Sequence, residues 1–407
     1  MVLPQSHRGD FPPVNAQKKF LAACFTIEGL NSFATVIYFN YLYFLFRDRF
    51  GFDNKHNLAL AALIGLIYTL ASWQGGRFAQ RCGNFTALKI GFGIMAAGLA
   101  VGSQLHFLAG AIAAACVVNI GMCFTWPVLE ALVSEGANPA RAVGIYNITW
   151  AITNASAVFI GGLLYDKISH QIIFYVPLVL MVVQFTMVFW LEKIHVVEIV
   201  PETGENFPVR EENSVSRARA KNFQRLAWLA NPFAYIAINT LIAVLPGIAA
   251  KFQLSTSLAG FVCSLWCFAR VAAFVALWRW TAWHYQFRWL AGAFALLIVS
   301  FAVILVVPTL AVVLLAQIFF GVAIGLIYYS SLFYSMDASD TKSEHGGIHE
   351  AAIGAGNCIG PAVGAAALEF LPQFQNSGAV AVSVLLLGGL GGLFWLRHLA
   401  NRRTEFA

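Results

Sequence analysis

Two ionisable residues stand inside long apolar runs of this 407-residue chain, Glu28 and Arg270. A charge placed in hydrocarbon costs about 2.5–3.5 kcal/mol on insertion scales, so each needs a reason to be there. Glu28 opens the stretch Glu28-Gly29-Leu30-Asn31, and Asn31 is its i+3 neighbour on one helix face. Tyr38, Asn40 and Tyr41 continue the polar and aromatic character of the same run. A carboxyl in this setting can take up and release a proton and so link proton movement to a solute. The other reading is a structural carboxylate permanently paired within the protein. Arg270, in Trp266-Cys267-Phe268-Ala269-Arg270, keeps its charge and must meet a carboxylate, a bound anion or several carbonyls. Glu28 is one candidate partner, and the two functional readings are anion binding and gate pairing.

A third cluster reads His345-Gly346-Gly347-Ile348-His349-Glu350. His345 and His349 have a spacing able to hold a metal, but the order is not His-Glu-x-x-His and two glycines intervene, so no metal site is assigned. Its readings are a proton or gate role for His349 and Glu350, or simply a polar helix start. The seven cysteines form no zinc-type pair of pairs, and Cys263-x3-Cys267 is one helical turn of small packing residues. No cofactor is expected.

The elements that position these groups are apolar helices. Hydrophobic residues make up 59% of the chain and charged ones 11%, with mean hydropathy +0.72, against about 25% charged in soluble domains. Twelve runs match the length a bilayer requires of helices: 19–46, 57–79, 86–107, 109–133, 142–165, 171–193, 226–250, 257–280, 289–308, 310–335, 348–370 and 377–396. Period-two alternation is absent, which excludes a membrane barrel. Residues 1–17 are polar and contain proline, and the first run is too long for a cleavable signal peptide. The long polar stretch 195–222, with Pro201, Gly204 and Pro208, reads as a hydrated linker between bundles at 1–194 and 223–407.

The second half repeats the first. Gly144-Ile145 return as Gly347-Ile348, Asn154 as Asn357 and Gly161 as Gly364, each 203 positions on (347 − 144). Under that shift His349-Glu350 correspond to Tyr146-Asn147, so one copy has titratable groups where the other has neutral polar ones. Most of the 25 Lys and Arg fall on the side of the N-terminus and linker, which predicts both termini in the cytoplasm. The net charge of +6 is this bias and not a nucleic-acid footprint.

The loop after the second run reads Gly76-Arg77-Phe78-Ala79-Gln80-Arg81-Cys82-Gly83-Asn84. With the six-plus-six arrangement, the central linker and both ends inside, the chain resembles the major facilitator superfamily over its whole length. In that family the loop is typically Gly-x-x-x-Asp-Arg-x-Gly-Arg. Gly76, Arg81 and Gly83 match, while Gln80 replaces the acidic residue and can offer a hydrogen bond but no ionic latch. The matching loop of the second half, Trp278 to Tyr285, is aromatic and basic and suits an interfacial anchor. Gly356, Gly360 and Gly364 line one face of the eleventh run around Pro361, which permits close backbone approach and bending. The corresponding face of the fifth run has Thr153, Ala157 and Gly161 without proline, which does not support a drug-antiporter assignment.

The resemblance implies an all-α integral membrane protein, two pseudo-symmetric six-helix bundles, and a central cavity faced by the first, fourth, seventh and tenth runs. Candidate solute and proton residues are then Glu28, Asn31, Tyr38, Trp126, Asn147, Trp150, Asn239, Arg270, Tyr328, Tyr329, His349 and Glu350. Gly76, Gln80, Arg81 and Gly83 form the gating loop. Asn231, Tyr235 and Asn239 share one stripe of the seventh run, where Pro246-Gly247 is a candidate bend. Glu130, Arg141 and Glu369 read as interfacial helix ends. An aromatic and amide-rich cavity suits a small neutral or zwitterionic organic solute.

The expected function is secondary transport by rocking of the halves, proton-coupled, by a monomer in a bacterial inner membrane. Uniport without ion coupling and a transporter-like receptor are the alternatives. A membrane enzyme is disfavoured, because no Gly-x-Ser-x-Gly, His-Glu-x-x-His or nucleotide-binding glycine loop is present.

Overall fold

The computed structural model describes residues 14–134, 139–195, 214–338 and 342–405, so most of the linker expected at 195–222 lies outside the described residues. Every regular element among the described residues is a helix. They are α1 (Val14–Phe50), α2 (Asn54–Cys82), α3 (Asn84–Gln104), α4 (Leu108–Met122), α5 (Trp126–Ser134), α6 (Pro139–Lys167), α7 (Ile172–Ile194), α8 (Ser214–Lys251), α9 (Thr256–Arg279), α10 (Phe287–Val306), α11 (Leu310–Ala338), α12 (Lys342–Phe370) and α13 (Ser377–Glu405). They provide twelve stretches long and apolar enough to cross a membrane, α4 and α5 together forming the fourth.

Pro127 explains the divided fourth span. Proline has no N–H to give and its ring clashes with the carbonyl four residues back, here that of Cys123. The chain responds with three tight turns, in which Cys123, Phe124 and Thr125 bond back to Ile120, Gly121 and Met122. The Thr125 hydroxyl donates to the Met122 carbonyl at 2.9 Å and accepts from Asn31 Nδ2 at 3.2 Å, which ties the break to α1. The new axis of α5 carries Trp126 and Glu130 toward the centre of the protein.

Polarity is distributed as a bilayer demands. Leu66, Leu70, Val101, Phe159, Val179, Val182 and Leu387 face outward, while Glu28, Asn31, Asn119, Asn147, Gln184 and Arg270 are buried. Large apolar side chains on the outside need a lipid environment. Burial also ranks the helices: 67% of the apolar window of α8 and 61% of that of α1 are buried, against 22% for α13, so the first two are central and the last is peripheral.

Helices α1, α3, α4, α5 and α7 pack mainly within the first half and α8, α10, α11 and α13 within the second, whereas α2, α6, α9 and α12 make their most extensive contacts across the halves. Two seams join the halves, α2 against α12 and α6 against α9. Along the first, a Cβ on Gly65 would collide with the Asn357 backbone, and one on Gly354 would stand 2.8 Å from Thr69 Cα. Along the second, a Cβ on Gly162 would stand 2.6 Å from the Thr256 carbonyl oxygen. The repeat is visible here too, because α6 and α12 are each 29 residues long and Asn154 and Asn357 both reach the space between the seams.

The halves are fastened at the end where α1 finishes. Asp166, in the last turn of α6, accepts from the Ser257 amide (2.6 Å) and hydroxyl (2.7 Å) at the start of α9. A carboxylate there meets unsatisfied amides and the positive end of the helix dipole. Arg47 donates to the Pro246 carbonyl at 3.3 Å, and Lys55 pairs with Glu369 at 2.8 Å. Helix α8 runs continuously through the candidate bend at Pro246-Gly247, and the glycine lies against the other half: a Cβ on Gly247 would meet the Asn54 side chain.

Two of the three glycines on the small-residue face of α12 serve as expected, while Gly364 lies against the Leu58 side chain of α2. Gly356 lies against the Pro232 carbonyl and Gly360 against that of Ile236, both on α8. The aromatic loop after α9 is only in part an interfacial anchor. Trp278 and Trp280 are exposed, but Trp283 is buried against Tyr329, Phe333 and Tyr334, and His284 stacks on Phe333 with centroids 4.0 Å apart.

In the α2–α3 loop, Gly83 has φ +90°, a conformation open to glycine and strained for other residues, whereas Gly76 is helical with open space at its Cβ. Gly75, not Gly76, makes the close approach, to the Cys123 carbonyl. Gly83→Ala should therefore destabilise by about 1–3 kcal/mol. Gly76→Ala should be neutral or stabilising by up to about 1 kcal/mol, since alanine is the better helix former. Melting temperatures of the two purified variants check this ordering.

Candidate functional site

A cavity of about 200 Å³ lies between the halves, bounded by the two seams. Its walls come from α1, α2, α4, α5 and α6 on one side and α8, α9, α11 and α12 on the other. The expectation of four lining helices is therefore too narrow: the seam helices α2, α6, α9 and α12 line it as well.

Three carboxyls face this space, Glu28, Glu130 and Glu350. Glu28 is 1% exposed; its Oε1 accepts from the Ser32 hydroxyl at 2.7 Å and its Oε2 from the Tyr146 hydroxyl at 2.9 Å. Glu350 Oε2 accepts from the Tyr68 hydroxyl at 2.5 Å, a bond that crosses from α12 to α2 and so joins the halves. Glu130 stands one turn beyond Trp126 on α5 and lines the cavity, which corrects its reading as an interfacial helix end. Among the described residues none of the three forms an ion pair with a basic side chain.

Arg270 projects from α9 into the same cavity and is 4% exposed. Its guanidinium carbon lies 4.5 Å from the ring centre of Trp150 and 4.9 Å from that of Trp266. Nε and Nη2 have no hydrogen-bond partner among the described residues. The suggested pairing with Glu28 is not made: Glu28 is satisfied by hydroxyls of its own half, while Arg270 rests on aromatic faces. Tyr328 meets Trp150 edge to face at 5.4 Å, and Asn239 bonds to Asn357 across the α8–α12 contact.

Of the residues expected here, Glu28, Trp126, Trp150, Asn239, Arg270, Tyr328 and Glu350 line the cavity. Asn147 stands behind it and positions Trp150, whose Nε1 donates to Asn147 Oδ1 at 2.7 Å. Asn31 holds Thr125 at the break before α5. Tyr38 is buried against Phe174, and Tyr329 packs against Phe274 and Trp283, so neither faces the cavity. His345 and His349 fall in α12 outside the residues whose side chains are described. The loop residues Gln80, Arg81 and Gly83 lie at the far end of α2, away from the cavity, with Arg81 and Gly83 exposed. Arg141 is exposed near the start of α6, and Glu369 is held by Lys55. Among the described residues no three His, Cys, Asp or Glu side chains are grouped to hold a metal ion.

Sequence reasoning missed three members. Glu130 had a usable signal, its i+4 spacing from Trp126. Tyr146 was visible as the repeat counterpart of His349 but not as the partner of Glu28. Tyr68 carried no signal, because only the seam brings α2 to α12.

The Major Facilitator Superfamily profile matches residues 21–346. No curated protein sequence gives a significant match. Among solved structures, the chain is similar to the human organic anion transporter MFSD10 (TETRAN), with TM-score 0.66, 14% identity and coverage of 95% of this chain and 100% of that one. It is also similar to a bacterial homolog of the human lysosomal transporter Spinster, inward-facing and occupied, at TM-score 0.69, 13% identity and coverage of 95% and 98%. A structure described under substrate recognition in proton-dependent oligopeptide transporters gives TM-score 0.69, 16% identity and coverage of 94% and 100%. At these identities the likeness is one of fold. Profile, twelve spans and paired halves agree: the chain belongs to the Major Facilitator Superfamily and has the fold of its transporters.

Proposed function

We propose that this protein is a secondary transporter of a small organic solute that works by alternating access and couples to protons through its cavity carboxyls. The observation that carries the reading is the cavity between the halves, fastened at one end and faced by Glu28, Glu130 and Glu350 without a basic partner among the described residues. A carboxyl crossing the membrane interior travels with a counter-charge or with a proton. Here the described hydrogen-bond partners are neutral, the Ser32 and Tyr146 hydroxyls and the Trp126 indole for Glu28 and the Tyr68 hydroxyl for Glu350, so the proton is the available companion. Rocking would exchange the contacts at the Asp166–Ser257 end for contacts at the other. With the N-terminus in the cytoplasm, as the basic residues indicate, the end fastened by Asp166 and Ser257 is external.

The bundles at 1–194 and 223–407 are the moving bodies in this account, with 195–222 connecting them, and a monomer in a bacterial inner membrane suffices. Transport should appear as solute-driven proton uptake. In lightly buffered proteoliposomes, sugars, amino acids, nucleosides and carboxylates are added singly while external pH is recorded. External alkalinisation on adding one class, abolished by a protonophore, is the expected result. Solute entry without proton movement would reduce the reading to uniport. Binding without entry would replace it by a receptor.

A further inference from the structure

We infer that Arg270 is a docking site for the carboxylate of a small monoanionic organic solute, a substrate class that deepens, and rests on, the transporter reading. A guanidinium that stays charged and is 4% exposed needs a counter-charge. The described residues supply none. Glu28 is held by Ser32 and Tyr146, Glu350 by Tyr68, and the Arg270 guanidinium rests on ring faces, Trp150 at 4.5 Å and Trp266 at 4.9 Å.

The guanidinium is presented in a specific way. Nε and Nη2, the two nitrogens without partners, form one edge of its plane, and that edge donates two parallel N–H bonds to a carboxylate. Trp150 and Trp266 hold the plane by cation–π contact without using the edge. Asn147 fixes the Trp150 ring in turn.

Charge and size narrow the class. Arg270 is the one basic side chain among the cavity's lining residues, so a single carboxylate charge is balanced, whereas the second charge of a phosphate dianion would have no cation to meet. The volume of about 200 Å³ is below the ~300–1,000 Å³ of drug-sized pockets, so the solute is small. Trp150 and Tyr328 offer a planar apolar body an edge-and-face surface.

The test uses matched pairs of one shape and different charge: benzoate with benzamide, nicotinate with nicotinamide, lactate with lactamide. Dissociation constants for the purified full chain are measured by thermal shift at one fixed pH. At least one carboxylate should bind the wild type, with its amide much weaker. Arg270→Gln should weaken that carboxylate by at least about 30-fold, the usual consequence of removing one member of a buried charge pair. Arg270→Lys keeps the charge without the two-pronged edge and should fall between, which preserves the test if the glutamine variant does not fold. Equal binding of carboxylate and amide, wild-type affinity in Arg270→Lys, or no response to any carboxylate would each overturn the site. The two readings fail separately. Proton-coupled entry of a neutral solute with no carboxylate response removes the anion site alone. Carboxylate binding lost in Arg270→Gln, with no transport of any solute, removes the transporter alone.

Discussion

Glu28→Gln is expected to abolish uphill uptake while leaving solute exchange across the membrane intact. The substitution keeps the shape of the side chain. Ser32 and Tyr146 both donate to the carboxyl, and Ser32 can turn its hydroxyl to accept from the new amide, so the helix contacts survive. The loss is confined to the group that changes protonation. One proton per solute lets a one-unit pH gradient support about ten-fold accumulation, because each unit is worth about 1.4 kcal/mol. In Glu28→Gln accumulation should fall to the level without a gradient. Counterflow, which requires only movement of the loaded carrier, should continue. Accumulation that persists would transfer coupling to Glu350 or Glu130. Loss of counterflow as well would make Glu28 a solute contact.

The second large effect is at the fastened end. Gly162 faces the first residue of α9, and a side chain there would enter space held by the Thr256 carbonyl. Overpacking of this kind costs about 1–3 kcal/mol. Two of the three nearest neighbours, Thr256 and Ser257, belong to the other body, so parting the halves relieves the strain except against the Tyr41 hydroxyl, and about 1–3 kcal/mol shifts a two-state equilibrium by roughly 5–150-fold. Gly162→Leu should therefore populate the state open at that end with little loss of folding. Gly321→Ala is the control inside one half. Its Cβ would collide with the Trp266 carbonyl oxygen, between α11 and α9, where rocking brings no relief. It should lower the melting temperature and leave the conformational balance alone. Thiol labelling of a cysteine placed at Thr256, which is 6% exposed while this end is closed, in a background lacking the exposed Cys82, separates the two outcomes when read with the melting curve.

The fold was legible in the sequence because its signal is physical and spread over the chain: twelve apolar runs and the repeat of Asn154 in Asn357. The single prominent charges, Glu28 and Arg270, were legible because hydrocarbon makes each one conspicuous. Their partners were not. Tyr68 reaches Glu350 only through close approach at Gly65 and Gly354, and periodicity within one helix says nothing about which helices meet. Glu130 looked like a helix end because it falls near the close of the run 109–133, and composition does not show that the axis changes before Pro127. Asn31, Tyr38 and Tyr329 had the right chemistry on the wrong face. A helix buried on most sides, such as α1, offers polar residues several partners, and type alone does not select the cavity.

The central claim is that the two halves rock about the carboxyl-lined cavity. Its most direct measurement is a pair of spin-label distances across the halves, one at each end of the molecule. Ile168 with Phe374 reports the fastened end, and Cys82 with Arg279 the other; all four positions are exposed. In lipid nanodiscs, acidification together with a transported solute should lengthen the first distance while shortening the second. Distances that stay fixed, or that lengthen and shorten together, would contradict alternating access and leave a binding protein on a transporter fold.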